Sequence, residues 1–206
     1  MPRKLLVSVL VFLAVGAGPA LAATLIEATW HGQPVRLVVD KDSRRTLLER
    51  GDERFLFDYR AGSVQALHSG EAMRPGIHDD GRPARAFNFK KWSKSGYPVA
   101  GFGGAYYVLT IDERICGEAL VGVWMGKFTQ GGMDALAWLE GLDTARGAAL
   151  PVDDRACGPL PFSMFTSAGW PLQMGSGSTS YFRTTHMDFG YAPRPGELGE
   201  PAADPS

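Results

Sequence analysis

His78, Asp79 and Asp80 put an imidazole and two carboxylates side by side, the donor types of a metal site or of acid–base chemistry. Adjacent residues in an extended loop seldom converge on one ion, so a hydrophilic loop tip is the simpler reading. His186 and Asp188 are spaced to share one face of a strand, opposite Met187 and Phe189. Two metal ligands could stand there, although a solvated sheet face accounts for both. Ser176 and Ser178 lie in a glycine-rich run but lack the Gly-x-Ser-x-Gly spacing and strand–turn–helix context of a nucleophile elbow. Gly101-Phe102-Gly103-Gly104 is too short for a phosphate loop and has no following lysine or helix. The carboxylates of Asp153 and Asp154 diverge if the chain is extended. No catalytic constellation, cofactor site or metal site emerges, and the reading is of a non-enzyme.

The aromatic residues say more. Trp30, Trp92, Trp124, Trp138 and Trp170 are dispersed, and Trp92 ends the run Phe87-Asn88-Phe89-Lys90-Lys91-Trp92, in which aromatics and lysines alternate across two faces. Aromatics beside lysines suit a ligand that is apolar at one end and anionic at the other. Lysines that guard an edge strand against aggregation give the same pattern.

The N-terminus reads as a secretory signal over residues 1–22. Arg3 and Lys4 precede an apolar stretch from Leu5 to Val15, and Ala20-Leu21-Ala22 sets small residues where a signal peptidase inspects the chain. Cleavage before Ala23 is expected. The stretch is about half the ~20 residues needed to span a bilayer, Gly16, Gly18 and Pro19 break it, and no later segment could serve as a transmembrane anchor. The expected product is a soluble protein of the periplasm or cell exterior. The formal net charge of −1, with basic residues scattered, argues against nucleic acid as a partner and offers no polybasic segment for lipid headgroups. Cys116 and Cys157 are the only cysteines, and export to an oxidising compartment favours a disulfide between them over a metal-binding or reactive pair. Closing a loop of about 40 residues, that bond would stabilise the fold by roughly 3–4 kcal/mol.

The elements that would position these groups are mostly strands. From Thr24 to His68 apolar residues recur at a period of two: Ile26, Ala28 and Trp30, then Val35, Leu37 and Val39, then Phe55, Phe57 and Tyr59. Turn residues punctuate the pattern, which predicts an antiparallel meander of strands at 24–30, 34–40, 44–50, 53–59 and 63–68. Residues 69–85 read as an exposed loop, followed by strand at 87–92, a glycine-rich turn at 96–104, and strands at 106–111 and 118–125. The second of these is apolar on both faces and so is expected to be a central strand or one covered on both sides. Met133, Leu136, Ala137, Leu139 and Leu142 predict one helix over 133–142, starting after Gly131-Gly132. The stretch 151–161 is rich in proline and irregular, strands follow at 171–174 and 180–189, and the tail from Pro193 is expected to be disordered. This makes one β-rich domain over 23–192.

Three stretches carry a resemblance: Val35-Arg36-Leu37-Val38-Val39-Asp40; Arg54-Phe55-Leu56-Phe57-Asp58-Tyr59-Arg60-Ala61-Gly62-Ser63-Val64; and Tyr106-Tyr107-Val108-Leu109 followed by Cys116-Gly117-Glu118-Ala119-Leu120-Val121. In these the chain resembles exported half-barrel proteins of the LolA and LppX type, including a related bacterial family of unassigned function. The resemblance implies a mainly β fold: a curved antiparallel, incompletely closed barrel with helical cover and an apolar cavity that, in relatives, holds acyl chains. The cysteine pair and the long 69–85 loop depart from that pattern. The expected function is binding of an apolar ligand or lipid in the half-barrel, with inward residues of the meander such as Trp30 and Leu37 as candidate lining. The competing expectation is an envelope interaction module with a packed core and no ligand. A hydrolase assembled from distant residues is a third, weaker reading.

Overall fold

The computed structural model describes residues 22–73, 88–93, 97–111, 113–147, 162, 168–176 and 179–199. Its order is β1 (Ala23–Trp30), β2 (Gln33–Asp40), β3 (Arg45–Arg50), β4 (Glu53–Asp58), β5 (Ser63–Ala66), β6 (Glu71–Met73), β7 (Asn88–Ser93), β8 (Ala105–Ile111), β9 (Arg114–Gly122), a 3-10 turn (Val123–Met125), α1 (Gly126–Ala145), β10 (Trp170–Ser176) and β11 (Thr179–Tyr191). All eleven strands form one antiparallel sheet in the order β6-β5-β4-β3-β2-β1-β11-β10-β9-β8-β7. Every neighbouring pair is consecutive in sequence except β1 and β11. The topology is therefore an up-and-down meander in one sheet that is not closed, β6 and β7 being its two edges among the described residues, with one helix packed across it.

Alternation of side chains explains which face is the core. Met187, Ile26, Leu37, Leu48, Phe55 and Ala66 stand opposite one another on successive strands β11, β1, β2, β3, β4 and β5. All six are buried in the main hydrophobic cluster, which α1 joins through Met133, Leu136, Trp138, Leu139 and Leu142. Trp138 presents an edge to Phe55 at a centroid distance of 5.0 Å and to Phe57 at 5.3 Å. Apolar area removed from water in this way is the main driving force for folding.

The helix differs from the sequence expectation. It starts at Gly126, not after Gly132, and runs 20 residues to Ala145. Gly131 and Gly132 read as a helix start because glycine is a poor helix former. They lie inside α1 because the helix backbone is pressed against the sheet there. A Cβ at Gly131 would come within 2.6 Å of Thr46 Oγ1, and one at Gly132 within 3.1 Å of Val39 Cγ2 and 3.3 Å of the Trp170 ring. Tyr59 fixes the approach by donating its hydroxyl hydrogen to the Gly131 carbonyl at 2.6 Å.

The tail also differs. Residues 193–199 are not disordered: they form turns on the outer face of the sheet. Leu25, Val38, Leu47 and Leu56 make a second cross-strand row there, and Leu198 packs on it with Ala23 and Tyr191. Glu197 accepts from Arg36 Nη2 at 2.6 Å and from the Tyr191 hydroxyl at 2.9 Å. An apolar row facing water is unfavourable, and the returning chain covers it.

Strand bounds otherwise lie within a few residues of expectation, with three further differences. A short strand, β6, falls inside the stretch read as a loop, β9 begins four residues earlier, and Val123–Met125 is a 3-10 turn instead of strand. The sheet places β9 between β8 and β10 with Ala119, Leu120 and Val121 buried in succession, as its apolar character on both faces predicts.

Candidate functional site

Two places on the described residues concentrate chemistry, one at each end of α1. At its C-terminal end, β3 and β4 meet the helix through charge. Arg50 grips the Asp143 carboxylate with both Nη atoms, at 2.5 and 2.7 Å, and also donates to Glu53 at 2.8 Å. Arg146 donates to the other oxygen of Glu53 at 2.5 Å. Both partners of the central pair are nearly buried, with side chains 11 % and 10 % exposed. A bidentate guanidinium–carboxylate pair fixes orientation as well as distance, so this group clamps the end of α1 to the β3–β4 hairpin. His31, in the turn after β1 with φ of 48°, lies close enough to feel both Asp143 and Arg50. Its ring contacts Trp30 and Tyr181.

The clamp, His31 and two carboxylates elsewhere in the fold set an acid dependence. Burial pushes the His31 pKa down, the nearby Asp143 only partly offsetting this. For Glu53 burial acts upward, but hydrogen bonds from Arg146 and Arg50 outweigh it and hold the carboxyl below its ordinary value. The backbone N–H of Ala61, aided by Arg45, lowers Asp58, and Glu197 is lowered despite burial by the Arg194 N–H, Arg36 and Tyr191. Each of these four folded pKa values lies below its unfolded value, so each contribution is complete above the unfolded pKa and is lost as pH falls; Asp134, whose carboxyl pKa is pushed up by burial, opposes them in the carboxylate range. Stability is expected to begin dropping below about pH 6.5, through His31, and to drop more steeply below about 4.3, through the carboxylates. Urea midpoints measured from neutral to about pH 3 check this; a midpoint that holds steady or rises on acidification contradicts it.

The other end of α1 is an aromatic rim. Phe102 comes from the loop before β8, Trp124 from the 3-10 turn, Phe128 from the first turn of the helix and Phe189 from β11. Phe189 stands at the centre, with ring centroids 5.3 Å from Phe128, 5.4 Å from Trp124 and 5.7 Å from Phe102. Lys127 holds its ammonium 4.7 Å from the centre of the Phe128 ring. Gly104 lets the loop come this close: a Cβ there would meet the Val121 carbonyl oxygen at 2.6 Å. Trp124 is 52 % exposed and Val123 53 %. Phe102, Phe128 and Phe189 are half-buried, Phe102 and Phe189 against the main core, so the rim presents Trp124 and Val123 to solvent beside a cation, a composition suited to an amphiphile or an aromatic–anionic group.

Few of the sequence-derived candidates fall at either end. Trp30 and Leu37 are buried, and Trp30 is stacked on Phe162 at 5.3 Å and edge-on to Phe182 at 6.2 Å, so protein side chains occupy the space beside it. His186 and Asp188 are exposed on the outer face of β11, where Asp188 accepts from the Gly190 N–H at 2.8 Å. Cys116 is buried on β9 and is not a free thiol. His78, Asp79, Asp80, Asp153, Asp154, Cys157 and Ser178 lie outside the described residues, as do the side chains of Trp92 and Ser176. No three His, Cys, Asp or Glu side chains are grouped for a metal ion among the described residues, and no described helix is long and apolar enough to cross a membrane.

The rim was legible in part: Trp124 stood out as a tryptophan, and Phe102 lay in the glycine-rich loop. Their meeting with Phe128 and Phe189 has no local signal, because the four rings come from segments up to 87 positions apart, Phe102 to Phe189. Comparison of the chain with protein-family models, with curated proteins and with solved structures finds no match.

Proposed function

We propose that the chain is an exported, non-enzymatic binding protein for an amphiphile, a molecule with an apolar body and an anionic head. The observation that supports this is the rim of Phe102, Trp124, Phe128 and Phe189 with the Lys127 ammonium beside it. Exposed apolar groups gathered in one place mark binding surfaces more often than scattered ones do. The rim has better support as the contact surface than a cavity lined by Trp30 and Leu37, because both of those residues are buried against protein. Export and a Cys116–Cys157 disulfide belong to the same proposal. The start of β1 at Ala23, the first residue after the expected cleavage point, is consistent with it.

A second reading, an envelope interaction module with a packed core and no ligand, draws support from the direct seat of Gly131 and Gly132 on the sheet. One preparation separates the two. The protein is purified from an exporting host, its intact mass is read for cleavage before Ala23 and loss of the two thiol hydrogens, and an organic extract is analysed for lipid. A stoichiometric amphiphile, or saturable uptake of a fluorescent fatty acid weakened about tenfold by Trp124→Ala, is the expected result. An empty extract with no uptake leaves the packed module as the better account.

A further inference from the structure

We infer that the aromatic rim docks on the surface of a bilayer containing anionic lipid, with Trp124 and Val123 entering the headgroup region. The inference rests on the rim being the amphiphile site and names where that amphiphile is met. Four large hydrophobic side chains are exposed among the described residues: Tyr97, Ile115, Val123 and Trp124. Two of them, Val123 and Trp124, belong to this end of the molecule, and a third is near it in the chain. Val123 and Trp124 form the 3-10 turn, and Tyr97 stands two residues before the bridge between Val99 and Phe102 that shapes the neighbouring loop. Tyr97 is 94 % exposed. Aromatic rings with a polar atom, Trp and Tyr, are the side chains that settle at the boundary between headgroups and acyl chains.

Charge selects the kind of surface. Lys127 lies beside the exposed turn, and the first turn of α1 contains no acidic residue to oppose an anionic headgroup. A lysine near the start of a helix is unfavourable against the helix dipole, which favours negative charge there. A negative surface in front of Lys127 removes that conflict. A single lysine near an anionic membrane contributes about fivefold in partitioning, so the apolar contacts must supply the rest. The docking is accordingly expected to be weak, reversible and dependent on both features.

Vesicle flotation tests this with the full mature protein. Vesicles of phosphatidylcholine alone are compared with vesicles containing phosphatidylglycerol, and the same samples are titrated with the fluorescent fatty acid. The wild type is expected to float with the anionic vesicles and not with the neutral ones. Trp124→Ala should lower the bound fraction constant about tenfold and Lys127→Gln about fivefold. Lys41→Gln, the same change of charge at an exposed residue in the turn between β2 and β3, should leave it unchanged. Circular dichroism identifies any variant that has failed to fold, and Val123→Asp then takes its place as the rim variant. Absence of flotation with anionic vesicles, or equal loss from Lys127→Gln and Lys41→Gln, overturns the docking proposal. Fatty-acid uptake without flotation overturns docking and leaves the binding function standing. Flotation without uptake supports docking and removes the binding function.

Discussion

Trp138→Ala is expected to lower the unfolding free energy by about 3–5 kcal/mol, the range for truncating a large buried aromatic. Trp138 is 1 % exposed and stands between α1 and the sheet, edge-on to both Phe55 and Phe57. Removing the indole forfeits its transfer free energy and leaves a void that the surroundings cannot close easily. The helix cannot move inward, because Gly131 and Gly132 already lie against Thr46, Val39 and Trp170. The loss should therefore fall at the upper part of the range. Trp138→Phe retains a ring and should cost about half as much. Chemical denaturation of the two variants checks the order; a Trp138→Ala loss below about 1 kcal/mol would mean that the interface is loosely packed.

Asp143→Ala comes next, at about 3 kcal/mol. The substitution leaves Arg50 nearly buried with only Glu53 to pair with, and breaking a buried pair from one side costs far more than removing both members. Replacing the pair together, as Asp143→Leu with Arg50→Met, should recover most of the loss, since neither charge then needs hydration. A double-mutant cycle on the two sites measures this directly. Additive losses would contradict the clamp, because residues that share two hydrogen bonds must couple. The end of α1 should also become more accessible to amide exchange in Asp143→Ala, with the rim at the opposite end unaffected.

How far the sequence foretold these features follows from the range of each signal. The meander was readable because period two is a local property, and Ile26, Leu37, Leu48 and Phe55 meet across strands in the register that it requires. The outer row was missed, although its trace is present in the paired apolar residues Val38-Val39 and Leu47-Leu48. Two apolar neighbours in a strand face opposite ways, so both faces must be covered. The cover is Leu198, more than 140 positions beyond Leu47 in a stretch whose Pro, Gly and charged residues suggest disorder. Composition averages over a tail and cannot register one leucine and one glutamate that happen to meet a waiting surface.

The sequence by itself determined the fold class, the antiparallel pairing of successive strands and the apolar stripe of one helix. These depend on side-chain alternation and turn chemistry within a few residues. Tertiary structure decided how the meander is joined and what it carries. It pairs β1 with β11, seats Gly131 and Gly132 on the sheet, and returns residues 193–199 to the outer face. It also gathers Phe102, Trp124, Phe128 and Phe189 into one rim and sets Arg50 on Asp143. Those contacts join residues far apart in the chain, and their geometry is fixed by packing of the whole sheet against α1, a property that no single segment encodes.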